Sequence, residues 1–372
     1  MFRSTPIVLL FIVAVLSLFP AMTYHLWLLA VGVTEYPWVF IILTMILLVL
    51  GFWVFYNPAW VNVLGIITLI LFTSPIIRAY VIAGKLESNL QSAFDNRSQE
   101  NDHVFSVFTL FKNSKEIPYQ SIAYKKIDDQ LLTVDFYRSR VAGKKPCVLV
   151  IHGGSWSNGD SKQLPELNSY LAGQGYHVAS LNYRKAPSYQ NPAPVEDVRD
   201  AMNFLRDKSE EFQIDTNNFV LLGRSAGGQI ALLVAYTLHD PSIKGVIDFY
   251  GPADMVWGYS LPSNPLVMDS RGVMERYLGG KYKDVPKNYE ASSPIVFVDR
   301  QSPPTLMIHG DNDVLVSPIH SRKLNEKLQQ NGVKHYLLKL PWGVHGFDYN
   351  LNGPGGQLST YAVTYFLKSI TH

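Results

Sequence analysis

The chain has 372 residues, a net charge of +2 and one cysteine, Cys147. That length holds one large α/β domain plus an appendage, and the charge balance carries no nucleic-acid footprint. A lone cysteine excludes an intramolecular disulfide and leaves the redox compartment open; opening an apolar strand, it reads as a buried structural thiol.

The N-terminal third is a different material from the rest. Between Arg3 and Arg78 the only formal charge is Glu35. Apolar runs cover residues 7–33, interrupted by Pro20 and His25, then 38–56, and 59–77 after Asn57-Pro58. A spanning helix needs about 20 apolar residues, and Trp27, Trp38, Trp53 and Trp60 stand near the ends of these runs, where aromatic rings favour a membrane interface. Three transmembrane helices within residues 1–83 are therefore expected. Reading 7–19 as a cleaved signal peptide would still leave two spans. With three spans the N-terminus and the C-terminal domain lie on opposite sides. Arg78 and Lys85 against Arg3 tip the positive-inside rule toward a cytoplasmic C-terminal domain in a multi-pass protein. Asn96-Arg97-Ser98 fits a glycosylation acceptor.

Residues 84–116 form a linker or a lid. Leu86, Leu90, Ala93 and Phe94 make an apolar stripe at helical spacing. Val104, Phe105, Val107, Phe108, Leu110 and Phe111 make a second apolar patch, suited to a membrane surface, a lid or a packed linker.

From 117 to 372 the chain alternates strand-like and helix-like segments. Runs at 122–127 and 131–137 flank Asp128-Asp129-Gln130 as a hairpin. Continuously apolar runs follow at 147–151, 177–181, 219–222, 245–249, 305–308 and 335–340, as expected of parallel strands covered on both faces. Val195, Val198, Met202 and Leu205 form one helical stripe behind Pro194, and another helix opens at Ser317-Pro318 and can close at Gly332. This alternation argues for a doubly wound α/β sheet, with ligands beyond the carboxyl ends of the strands.

Four strand ends carry candidate chemistry. The run 219–222 enters Gly223-Arg224-Ser225-Ala226-Gly227, a G-x-S-x-G turn into a helix, which holds a serine hydroxyl exposed at the sheet edge. The run 147–151 ends in His152-Gly153-Gly154-Ser155-Trp156, whose backbone amides, with that of Ala226, can stabilise an oxyanion. The run 305–308 ends in His309-Gly310-Asp311-Asn312-Asp313, where Asp311 and Asp313 compete to orient a histidine. Of the histidines downstream, His320, His335, His345 and His372, only His345 lies in a loop at a strand's carboxyl end. The order Ser, Asp, His is that of the elbow fold.

The stretch from about residue 121 to the C-terminus resembles the α/β-hydrolase superfamily. It is most similar to the esterase/lipase branch with an H-G-G motif, hormone-sensitive-lipase-like and BD-FAE-like. The resemblance rests on the four motifs above, in order, together with Gly159-Asp160, Asn182-Tyr183-Arg184, Glu196-Asp197, Tyr250-Gly251-Pro252 and His345-Gly346-Phe347. It implies a mostly parallel eight-stranded sheet with helices on both faces. It implies Ser225 as nucleophile, His345 as base, Asp313 rather than Asp311 as the acid, and an oxyanion hole from Gly153, Gly154 and Ala226. The oxyanion motif departs from the family's pattern at Ser155, and Lys185 stands where many relatives have leucine. The expected protein is a membrane-anchored serine hydrolase cleaving a small-molecule or lipid-like ester, its pocket shaped by residues 255–290 and the segment before 121. That chemistry requires no cofactor and no metal, and no H-E-x-x-H or paired-cysteine motif is present. An amidase or peptidase with the same triad, and a non-catalytic binding protein on the same fold, are the alternatives.

Overall fold

The computed structural model describes residues 4–53, 59–95, 103–128 and 130–371. The Asn96-Arg97-Ser98 triplet, the Asn57-Pro58 break and His372 lie outside them.

Eight strands form one sheet: β1 Gln120–Ile127, β2 Gln130–Tyr137, β3 Lys145–Ile151, β4 His177–Leu181, β5 Ile214–Arg224, β6 Ile243–Phe249, β7 Thr305–Gly310 and β8 His335–Leu340. Their order is β1-β2-β4-β3-β5-β6-β7-β8. β2 pairs antiparallel with β1 and β4, and every other neighbour is parallel. The strands β4 and β7 are buried from end to end and β3 from Cys147 to Ile151, which explains their unbroken apolar runs.

The helices are α1 Ser4–Ala14, α2 Tyr24–Glu35, α3 Pro37–Trp53, α4 Ala59–Phe94, α5 Pro165–Gly173, α6 Ala193–Asp207, α7 Ser209–Phe212, α8 Ala226–Leu238, α9 Met255–Ser260, α10 Ser270–Leu278, α11 Pro286–Ala291, α12 Ile319–Gln330 and α13 Pro354–Ile370. One sheet face is covered by α6, α8 and α12, where the stripe Val195, Val198, Met202 and Leu205 is buried. The other is covered by α5, α13 and the C-terminal half of α4.

The three-span expectation does not hold. Among the described residues only α4 is by itself long and apolar enough to cross a membrane. The helices α2 and α3 reach that length only together, and they are bent by 84° at their junction. The first apolar run is broken into α1, a short 3-10 turn at Val15–Ser17 and α2. Its only carboxylate, Glu35, is fully buried. Glu35 Oε2 accepts from the Gly355 amide at 2.9 Å and its backbone oxygen from Asn350 Nδ2 at 2.8 Å. Burial outweighs the Gly355 and Gly356 amides at the N-terminus of α13 and pushes the Glu35 carboxyl up to about 8. So one face of α2 docks on the C-terminal fold. The orientation argument, which needed three spans, falls with them.

The stripe Leu86, Leu90 and Phe94 lies on α4, which runs unbroken across the expected junction at 83/84 and packs on α13, with Phe94 4.8 Å from Phe366. The second linker patch packs nearby: Phe105 meets Tyr80 edge-on at 4.8 Å, and the Ser106 amide donates to Gln357. Phe108 and Phe111 stay exposed, and none of the segment's described residues lines the cavities described next.

Candidate active site

The sharp turn from β5 to α8 places Ser225 at φ 54°, ψ −120°. No larger residue fits its flanks: a Cβ at Gly223 would lie 2.1 Å from the Gly227 carbonyl, and one at Gly227 2.1 Å from that of Ile151. The Ser225 amide is tied to the Phe249 carbonyl at 2.8 Å. The side chain stands in the wall between two cavities. The larger, about 250 Å³, is lined by Ala226, Trp257, Leu261, Met274 and His320. The smaller, about 150 Å³, is lined by Trp27, Gly154, Gln163, Tyr250 and His345.

Asp313 and His345 come together at the ends of the adjacent strands β7 and β8. His345 Nδ1 and Asp313 Oδ2 are 2.7 Å apart and buried. Asp313 Oδ1 accepts from the amides of Leu315 and Val316, both at 2.9 Å, and His309 Nε2 lies 3.2 Å from Oδ2. Burial alone would raise the Asp313 carboxyl. The charge of His345 and hydrogen bonds from His309 and His345 outweigh it and hold the group well below the usual carboxylate range. Asp311 instead pairs at the surface with Arg322 at 2.7 Å. The other histidines are elsewhere. His335 hydrogen-bonds the Val333 carbonyl. His320 lines the larger cavity with its Nδ1 3.3 Å from the Asp254 amide, and burial pushes its imidazole down to about 3.

The loop after β3 turns through Gly154 at φ 116°, where a Cβ would meet the Asn158 carbonyl at 2.1 Å. Ser155 and Trp156 follow, both at positive φ. The Trp156 ring stacks on Tyr277 at 4.4 Å, and its Nε1 donates to Gln229 at 2.9 Å. His152 stacks on Tyr183 at 4.3 Å and is held neutral, burial pushing it down to about 4. The amides of the expected oxyanion set differ in their partners. The Gly153 amide already donates to Gln163 Oε1 at 2.7 Å, because that side chain reaches back under the loop. The amides of Gly154, Ser155 and Ala226 have no acceptor among the described residues.

Three further features escaped sequence reading. Trp27, expected at a membrane interface, is buried, and its Nε1 donates to the His345 carbonyl at 2.9 Å. Tyr250 lies 4.4 Å from the His345 ring on the other side. Its hydroxyl donates to Asp348, whose second oxygen accepts from Arg224 Nε at 2.6 Å. Only the Tyr250-Gly251-Pro252 motif hinted at the second feature. Gln163 carried no signal.

Residues 134–328, just over half of the chain, match the family model BD-FAE. Esterase LipC of Mycobacterium tuberculosis is 30% identical over 262 residues, covering 65% of this chain and 63% of LipC. Esterase LipQ of the same organism is 27% identical over 248 residues, covering 63% and 57%. The chain thus spans about 60% of the length of these curated relatives. Among solved structures, an esterase of Pyrobaculum calidifontis superposes with a TM-score of 0.59 at 20% identity, covering 78% of this chain and 94% of that one. An esterase of Thermogutta terrifontis gives 0.55 at 21%, covering 66% and 89%. These structural likenesses concern the fold.

Proposed function

The chain belongs to the BD-FAE family of α/β-hydrolases, and from that premise we propose that it is a carboxylic ester hydrolase working through Ser225, His345 and Asp313. The observation that carries the reading is the buried 2.7 Å contact between His345 and Asp313, on a loop that shares a cavity wall with the strained Ser225. His345 takes the Ser225 proton as the oxygen attacks the ester carbonyl. Asp313, receiving the Nδ1 hydrogen, holds the tautomer that leaves Nε2 free to act as base and stabilises the imidazolium. Charge on the tetrahedral oxygen falls to the amides of Gly154, Ser155 and Ala226. His345 then protonates the departing alcohol, and water repeats the sequence on the acyl-enzyme.

The proton must be delivered from the side that His345 lines. The alcohol therefore leaves through the smaller cavity, and the acyl group occupies the larger, mostly apolar one. Residues 117–372 carry this catalytic unit, and the N-terminal half of α4 anchors it to a membrane. Detergent-solubilised protein should hydrolyse short and long p-nitrophenyl esters, and Ser225→Ala should lose several powers of ten in kcat. Wild-type inactivity on both esters, or full activity in the variant, would overturn the assignment.

A further inference from the structure

The outer surface of α2 and the loop before it are apolar where a water-facing rim would be polar. Phe19 is 60% exposed, Met22 73% and Tyr24 45%, and Leu266 of the loop between α9 and α10 is 69% exposed. These residues form one surface. The Tyr24 amide donates to the Leu266 carbonyl at 3.1 Å, and Asn264 Nδ2 to the Met22 carbonyl at 3.1 Å. Next to it in sequence are cavity-lining residues: Leu261 of the larger cavity, itself 61% exposed, and Trp27 of the smaller, one turn from Tyr24 on α2. Isolated exposed apolar side chains are ordinary, but a contiguous group marks an interaction surface.

The neighbouring helices say what covers it. The helices α1, α3 and α4 pack together through Ala14, Phe40 and Phe72 and turn Leu9, Ile42, Ile46, Ile66 and Ile70 outward. That outward face is as apolar as the lipid interior it would meet. The axis of α2 is turned 84° from α3. If α3 and α4 stand along the membrane normal, α2 lies in the plane of the interface. A helix in that plane carries one face toward protein and one toward acyl chains. Here the inner face holds Trp27 against the His345 carbonyl. The outer face carries His25 as its only titratable group besides the Tyr24 phenol.

We infer that α2 is an interfacial helix that sets the mouth of the Ser225 cavities on the bilayer, and that the substrate is a long-chain carboxylic ester resident in that bilayer, entering from the lipid side. This rests on the ester-hydrolase reading above and adds its substrate class and route. The acyl chain passes from lipid over Met22 and Leu266 into the larger cavity without crossing water.

The test uses the full chain in phosphatidylcholine nanodiscs, with p-nitrophenyl acetate in the water phase and p-nitrophenyl palmitate incorporated in the same discs. Met22→Glu and Leu266→Glu each put a charge on the rim without touching the serine, histidine or aspartate. The expected result is a fall of tenfold or more in palmitate turnover, with acetate turnover within twofold of wild type. Equal losses on both esters, or no loss on either, would overturn the inference. A change in oligomeric state would likewise overturn it, because a second copy would then be the occupant of this surface. Wild type active on acetate but inert toward embedded palmitate would defeat the inference and leave the esterase reading standing. Inactivity on both would defeat the reading, and the inference with it.

Discussion

Trp27→Phe isolates the role of α2 in catalysis. The substitution keeps an aromatic ring in the cluster with Val344 and Ala30 and removes the indole N–H that meets the His345 carbonyl at 2.9 Å, together with part of the ring's buried volume. A buried carbonyl left without its donor costs about 1–3 kcal/mol. If that cost falls on the conformer that presents His345, each 1.4 kcal/mol lowers its share roughly tenfold. The expected outcome is a kcat reduced about tenfold to a hundredfold on p-nitrophenyl butyrate. KM should change little, because the ring still lines the smaller cavity. Trp27→Ala should do worse on both counts and lower Tm, since deleting a buried tryptophan side chain costs about 3–5 kcal/mol. Steady-state kinetics and thermal unfolding on the same detergent samples separate the effects. If Trp27→Phe lowers Tm but leaves kcat within twofold, the indole is structural packing and the positioning argument is wrong.

Asp313→Asn should remove activity by about 10⁴-fold, the cost of the wrong imidazole tautomer in the serine-protease case, whereas Asp311→Asn, at the surface with Arg322, should stay within twofold. Gln163→Ala frees the Gly153 amide and loosens the oxyanion loop; a fall in kcat of about tenfold, worth roughly 1.4 kcal/mol, is expected, and unchanged kinetics would refute it. Asp248 is fully buried with Oδ2 unpartnered, and burial raises its carboxyl from 3.8 to about 7. The folded pKa is the higher one, so its contribution is intact below the ordinary carboxylate pKa and is lost as pH rises toward 7. Asp248→Asn should therefore stabilise the protein more at pH 8 than at pH 5, by about 3 kcal/mol; equal Tm gains at both values would refute the assignment.

Most of the sheet could be read from the chain because burial on both faces forces each parallel strand to be continuously apolar. The elbow was legible because steric crowding at Gly223 and Gly227 admits only one residue type. The choice between Asp311 and Asp313 was not legible from spacing, since both leave the same turn. It depends on which carboxylate meets amides two and three residues ahead, and those belong to Leu315 and Val316. The hydrogen bond of the Gly153 amide was not legible for a related reason: a glycine motif marks a turn but not the direction of each N–H, and here Gln163 takes one of them. Hydropathy failed most clearly at α2. A helix that docks one face on protein has the same composition as one that spans lipid. The difference lies in partners more than three hundred residues away in sequence.

The partners of α2 also tie the N-terminal helices to the C-terminal fold. Trp27 and Glu35 are eight residues apart on one helix, a rise of about 12 Å. Between them they engage the loop after β8 at both ends: Trp27 at the His345 carbonyl, Glu35 at Asn350 and at the first turn of α13. That loop is otherwise held from within the C-terminal fold by Asp348, through Arg224 and Tyr250. It is thus clamped between a brace from the N-terminal helices and a buried ion pair that starts at the elbow residue next to Ser225. The N-terminal helices and the His345 loop are therefore joined through a single helix, and the lone carboxylate in an otherwise charge-free stretch fastens it.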